Sequence, residues 1–113
     1  MESDQRPWGA WYVIDRGDGY QVKRIVVAPG QRLSYQVHRQ RAEHWVVVAG
    51  TATCTVDGET LEVKSGGCMD IGLGVPHRIS NVHDDELVII EVQRGEYFGE
   101  DDIVRLDDDY GRQ

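Results

Sequence analysis

The chain is poor in the residue types that mark several protein classes. It has only two cysteines, Cys54 and Cys68, in 113 residues, which excludes a disulfide framework and suits a reduced compartment. No apolar run approaches the roughly 18 residues of a membrane span. The first residues have neither the basic patch nor the apolar stretch of a secretory signal. We therefore expect a cytoplasmic protein without a membrane partner.

Positive charge is also scarce, and it is carried almost entirely by arginine. The net charge is −8, which argues against a nucleic-acid partner. Ten of the twelve basic residues are arginines. A guanidinium matches a phosphate through two parallel hydrogen bonds, so some of these arginines could bind an anion. Composition leaves open the alternative that they are solvated surface residues.

Helical periodicity is absent before residue 100, and strand signals dominate instead. Short segments rich in Val, Ile, Thr and Tyr alternate with glycine-containing turns. The predicted strands cover residues 20–27, 33–38, 43–48, 52–56, 60–63, 69–71, 77–79 and 87–92. Asp57-Gly58 predicts a tight hairpin turn between two of them. This pattern indicates an all-β sandwich or barrel, and the length fits one domain over residues 1–113.

The two ends of the chain carry weaker signals. Trp8, Trp11 and Tyr12 make the first dozen residues too aromatic for a disordered tail, so we expect them to pack on the barrel. Residues 101–106 could form a short C-terminal helix or turn, because acids stand in what would be its first helical turn.

Two spaced motifs run through the middle of the chain. The first places Gln36, His38 and Glu43 between Gly30 and Gly50, and the second consists of Gly66, Gly72, Gly74, His77 and Asn81. They resemble the cupin motifs G-x5-H-x-H-x4-E-x6-G and G-x5-P-x-G-x2-H-x3-N. Gln36 replaces the first histidine and Gly72 replaces the proline. The resemblance implies a single cupin barrel, a double-stranded β-helix or jelly roll.

The motifs also predict a metal site. Side chains alternate along a strand, so Gln36 and His38 point to the same face, and Glu43 and His77 join them from other segments. Each residue alone would be an ordinary polar side chain. Two oxygens and two imidazole nitrogens together suit one divalent transition metal, with zinc as the first expectation and Fe, Mn, Co or Ni as alternatives. His44 faces the opposite side, and His83 lies in a polar loop.

The flanking segments resemble a particular family. They include Arg6-Pro7-Trp8-Gly9, Leu33-Ser34-Tyr35-Gln36, Arg41-Ala42-Glu43-His44-Trp45 and Gly99-Glu100-Asp101-Asp102-Ile103-Val104-Arg105. From Arg6 to Arg112 the chain resembles the C-terminal domain of the type II phosphomannose isomerase / GDP-mannose pyrophosphorylase family. The resemblance implies a metal-dependent isomerase that interconverts mannose 6-phosphate and fructose 6-phosphate for polysaccharide precursors. The alternatives are a non-catalytic sugar-phosphate-binding module acting with a separate nucleotidyltransferase, and an Fe²⁺ dioxygenase.

The same resemblance implies roles for further residues. Arg41, Arg105 and Arg112 would act as catalytic or phosphate-binding residues, and Arg41 would lie on the loop between the strands of His38 and Glu43. Arg6, Lys23 and Glu91 would line the substrate site, with the last two as candidate bases. Because no glycine-rich nucleotide loop is present, we do not expect this chain to make GDP-mannose. A homodimer is expected, because small barrels leave sheet edges that a two-fold partner can cover.

Overall fold

The computed structural model describes residues 2–111, which form eleven strands and no helix. The strands are β1 Ser3–Arg6, β2 Gly9–Gly17, β3 Tyr20–Val27, β4 Tyr35–Val37, β5 Arg41–Ala49, β6 Thr51–Val56, β7 Glu59–Lys64, β8 Cys68–Ile71, β9 His77–Ser80, β10 Leu87–Gly95 and β11 Val104–Asp107. Within residues 2–111, no segment forms a helix long and apolar enough to cross a bilayer.

Two antiparallel sheets face each other as a jelly roll. The six-stranded sheet has the order β1-β2-β3-β10-β5-β8, and the five-stranded sheet has the order β11-β4-β9-β6-β7. Seven of the eight predicted segments lie in these strands, and β3 has the predicted bounds. The eighth, residues 33–38, is longer than the strand it predicts, because β4 covers only residues 35–37. Asp57 and Gly58 have φ angles of 49° and 82°, as a tight turn between antiparallel strands requires. The all-β barrel prediction is confirmed.

The N-terminal aromatic segment packs on the barrel, as predicted, but it does so as part of the six-stranded sheet. β1 pairs with β2, and β2 pairs with β3. Trp8 and Trp11 are buried in the core. Neither β1 nor β2 was among the predicted strands.

Of the short helix or turn expected over residues 101–106, no helix forms. The Asp102 N–H donates to the Gly99 carbonyl at 3.1 Å in a turn, and β11 then pairs with β4. A single helical turn is marginal in water because nucleation is costly. Strand β4 instead offers this segment backbone partners, with Val104 opposite Val37 and Arg105 opposite Gln36.

The barrel interior is apolar at one end and polar at the other. Ile89 on β10 pairs with Ile25 and Val47 on its two neighbouring strands, and all three are buried. Two residues further along β10, Glu91 pairs with Lys23 and Trp45. The next inward row joins Gln93 to Gln21 and Glu43. The apolar end supplies the core, so the polar end is free to form a site.

Candidate metal centre

A cavity opens into the polar end of the barrel. Together with its open mouth it spans about 560 Å³. Its walls are Trp8, Trp11 and Ile25 on the apolar side and a ring of charged, imidazole and amide groups from both sheets on the other. The predicted ligands Gln36, His38, Glu43 and His77 all belong to this lining.

Three of the four predicted ligands form a tight buried cluster. The candidate ligand atoms of His38, Glu43 and His77 lie within 4.8 Å of one another. His38 Nε2 is 3.4 Å from Glu43 Oε2, and His77 Nε2 is 3.7 Å from Glu43 Oε1. The strand register explains the convergence, because β4 and β9 bring the two histidines to one face opposite β5.

A hydrogen bond at Nδ1 of each ring determines which nitrogen of these two histidines faces the cluster. His38 Nδ1 lies 2.8 Å from the Asp102 carbonyl, and His77 Nδ1 lies 2.9 Å from the Val75 carbonyl. A carbonyl only accepts, so each Nδ1 carries the proton and each Nε2 keeps a lone pair directed at the cluster. This is the arrangement typical of metal-binding histidines. Burial also lowers the pKa of His38 to about 4, which keeps it neutral near pH 7.

Glu43 is held as a carboxylate despite its burial. Burial by itself raises its pKa, but the nearby His77 imidazole and Arg41 guanidinium outweigh that effect and lower the pKa to about 2. The Trp45 indole N–H donates to Glu43 Oε1 at 2.9 Å. An ionised carboxylate beside two imidazoles that both turn Nε2 toward it is a donor set that fits a divalent transition metal.

Gln36 accompanies the cluster at the same level of the barrel. It pairs with His77 in the β4–β9 register and is buried. Its Nε2 donates to the Ser34 carbonyl at 3.3 Å. The side-chain oxygen is therefore the Gln36 atom that remains able to bind a metal.

Arg41 lies elsewhere than predicted. It begins β5 and is buried beside the cluster, so its predicted placement on the loop between the strands of His38 and Glu43 is wrong. Its Nε donates to Glu43 Oε2 at 3.0 Å, and its Nη2 donates to His38 Nε2 at 3.1 Å. Since Arg41 and Glu43 are two residues apart on one strand, their side chains share the inner face.

Beside the cluster lies a second group of ionisable residues. Lys23 Nζ is 2.7 Å from Glu100 Oε2 and 4.2 Å from the centre of the Trp11 ring. Glu91 is buried next to them, and its Oε1 accepts a 2.6 Å hydrogen bond from Gln93 Nε2. Burial, reinforced by the charge of Glu43, raises the pKa of Glu91 to about 8. Glu91 is thus a protonated carboxylic acid near neutrality.

Glu100 was not predicted as a site residue. It lies just before the segment 101–106 expected as a helix or turn, on the loop before β11, and contacts both Lys23 and Arg41, the latter at 3.7 Å. The signal available was its place in the segment from Gly99 to Arg105, which already carried the family resemblance.

The remaining predicted arginines are divided. Arg6 lines the cavity and pairs with Asp4 at 3.3 Å. Arg105 also lines it, next to Gln36 in the β11–β4 register. Arg112 lies outside the described residues. As predicted, His44 faces away, 2.6 Å from Asp70, and His83 is exposed.

Comparison with known proteins agrees with this fold. The family model described as "Mannose-6-phosphate isomerase C-terminal" matches residues 2–108. The cupin domain of Cnp3 from Schizosaccharomyces pombe superposes with a TM-score of 0.73 at 11% identity, over 77% of this chain and 64% of that one. At that identity the likeness shows the cupin fold alone.

Two sequence relatives are longer proteins. The xanthan biosynthesis protein XanB of Xanthomonas campestris is 54% identical over 95% of this chain and 23% of its own length. The mannose-1-phosphate guanylyltransferase of Escherichia coli is 52% identical over 95% of this chain and 22% of its own length. The chain thus spans less than a quarter of the curated relatives it matches.

These relatives correct the predicted function. The prediction of a stand-alone isomerase interconverting mannose 6-phosphate and fructose 6-phosphate is wrong, because the matching region is the C-terminal part of longer proteins and the Escherichia coli relative is a guanylyltransferase. The alternative of a binding module beside a separate nucleotidyltransferase rested on the same stand-alone premise and falls with it.

Proposed function

The chain belongs to the mannose-6-phosphate isomerase C-terminal family, and from that premise we propose that its barrel is the metal-dependent, isomerase-type part of a mannose-phosphate guanylyltransferase system. The observation that carries the proposal is the buried cluster of His38, Glu43 and His77, with both imidazoles presenting Nε2 to one carboxylate. The family is one of isomerase-type enzymes. The proposed association with a guanylyltransferase is based on the sequence relatives.

The residues fit one divalent transition metal, and we propose zinc. His38, Glu43 and His77 would hold it, with the Gln36 side-chain oxygen as a fourth ligand. When bound, the metal would polarise the carbonyl and hydroxyl oxygens of a sugar. The donor set contains no thiolate, which favours a reactive site over a purely structural zinc.

Glu91 is the residue we propose to move the proton. Its carboxyl group borders the cavity beside Lys23 and Trp45. With a pKa of about 8, about a tenth of it is ionised at pH 7. The ionised form can take a proton from the carbon next to a sugar carbonyl, and the protonated form can return it to the adjacent carbon. Lys23 forms an ion pair with Glu100, so we assign it a role in the charge balance of the cavity and not the role of the base.

The charge of the cavity supports a phosphorylated substrate. Four bases line it, namely Arg6, Lys23, Arg41 and Arg105, against the acids Glu43, Glu91 and Glu100. With Glu91 protonated, the side chains of this cavity are net positive in a chain whose total charge is −8. Local positive charge attracts an anion despite the overall repulsion. We propose that Arg6 and Arg105 contact the phosphate, and that Arg41 acts beside the ligands.

Solvent exchange tests this proposal. Zinc-loaded protein is incubated with mannose 6-phosphate in D₂O, and proton NMR follows loss of the C2 proton signal. We expect exchange by the wild type and by the exposed-site control His83→Ala, and none by Glu91→Gln. Absence of exchange in the wild type with Zn, Mn, Co, Ni and Fe would contradict the isomerase-type assignment.

We also propose a homodimer. The edge strands β1 and β8 of one sheet, and β11 and β7 of the other, lack a partner on one side within residues 2–111. Such edges are commonly covered by a second copy. Light scattering after size exclusion should give twice the chain mass, and the mass of one chain at every concentration tested would refute the dimer. The cytoplasmic location and the absence of a nucleic-acid partner stay predictions.

A further inference from the structure

The turn before β11 holds the segment that carries a metal ligand. This segment, residues 38–40, joins β4 to β5. The Asp102 carboxylate accepts hydrogen bonds from the backbone N–H groups of Arg39 and Gln40, at 3.2 and 2.9 Å. The backbone carbonyl of the same residue accepts from His38 Nδ1 at 2.8 Å. One residue thus contacts three consecutive positions of the ligand segment.

We propose that Asp102 is a positioning residue that fixes the tautomer and the ring orientation of His38, and so directs its Nε2 at the metal position. The proposal rests on the proposed function for its metal, while its geometry stands without one. Asp102 touches neither the cavity nor Glu43, so it acts through the ligand segment.

The two kinds of hydrogen bond support each other. The carbonyl requires the proton on His38 Nδ1, since a carbonyl can only accept. That carbonyl stays in place because the carboxylate of the same residue is anchored to two backbone donors. Hydrogen bonds to an ionised carboxylate are shorter and stronger than neutral ones. Outer partners of this kind typically contribute about ten- to a hundredfold to metal affinity.

Asp102→Asn is the sharpest perturbation. It keeps the volume and the backbone carbonyl, but an amide NH₂ replaces one acceptor oxygen and faces a backbone donor. Asp101→Asn is the matched control, because the same change is made one residue away, where the side chain is exposed and bonds to the Tyr97 hydroxyl. Asp102→Ser keeps one acceptor and serves if the asparagine variant does not fold.

The first readout is zinc affinity by competition with a chromophoric chelator. We expect about tenfold weaker binding for Asp102→Asn, a smaller loss for Asp102→Ser, and wild-type affinity for Asp101→Asn. The second readout is the ¹⁵N spectrum of the His38 ring in metal-free protein. We expect the Nδ1–H tautomer in the wild type and a mixture in Asp102→Asn, or in Asp102→Ser if that variant replaces it.

The two readouts distinguish a failure of the proposed function from a failure of the role proposed for Asp102. If the wild type binds no zinc, the proposed function fails, and the ring spectrum alone decides the role of Asp102. An unchanged His38 tautomer in the Asp102 variant would overturn the proposal in either case. Wild-type zinc affinity in that variant, or an equal loss in Asp101→Asn, would overturn it as well.

Discussion

Replacing Glu91 by glutamine should make the protein more stable and less active. The pKa of Glu91 is raised by burial, from the ordinary 4.5 to about 8. Between these two values the folded chain keeps a proton that the unfolded chain releases. Stability therefore falls as pH rises through this window, and each pH unit is worth about 1.4 kcal/mol. The full cost reaches up to about 5 kcal/mol above pH 8.

Glutamine removes this cost because it never ionises, and its side-chain oxygen can still accept the bond from Gln93 Nε2. The stability gain of Glu91→Gln over the wild type should thus be small at pH 5 and about 3 kcal/mol at pH 7. Urea unfolding at pH 5, 6, 7 and 8 measures it. The control is Glu86→Gln, at an exposed loop position, where the difference should stay near zero.

The same variant should lose proton exchange by at least about a hundredfold, because glutamine cannot take up a proton. A stability difference that is constant between pH 5 and pH 8 would refute the reasoning. So would a variant that becomes less stable than the wild type as pH rises, since this would mean that the ionised carboxylate is favoured by its surroundings.

Two further predictions concern the ligand cluster. Arg41→Ala should destabilise the metal-free fold by about 3 to 5 kcal/mol in urea unfolding, because it leaves the buried Glu43 carboxylate without its cationic partner. Arg41→Lys should destabilise it less. A free energy of unfolding for Arg41→Ala within about 0.5 kcal/mol of the wild type would contradict the pairing. Proton competition at His38 should weaken zinc binding only as pH approaches about 4, since burial lowers the pKa of this imidazole to that value. Ring NMR of the metal-free protein between pH 3 and pH 7 measures this pKa. A titration midpoint of His38 near pH 6.5 would contradict the prediction.

The sequence predicts most of the fold because its strand segments are rich in β-branched and aromatic residues. Residues 20–27 and 43–48 each contain three valines, and turns such as Asp57-Gly58 separate the strands. β1 and β2 were missed because a tail rich in tryptophan gives no evident period. β11 was missed because it is a short strand that forms only by pairing with β4. Sequence alone does not reveal that long-range contact.

The candidate ligands could be predicted because their spacing matches the two cupin motifs, but their surroundings could not. Arg41 was assigned to a loop because a boundary error of two residues separates a loop from the start of β5. Its burial against Glu43 follows from that strand assignment. The contacts of Glu100 and Asp102 join positions 59 to 77 residues apart, and no local pattern records them.

The central claim is that His38, Glu43 and His77 hold a divalent metal, and zinc stoichiometry tests it most directly. Protein prepared without chelator and loaded with zinc is desalted and analysed by elemental mass spectrometry, alongside His77→Ala and the exposed-site control His83→Ala. The account predicts one zinc per chain in the wild type and in His83→Ala, and essentially none in His77→Ala. A His77→Ala protein that keeps its full zinc, or a wild type that binds none, would contradict it.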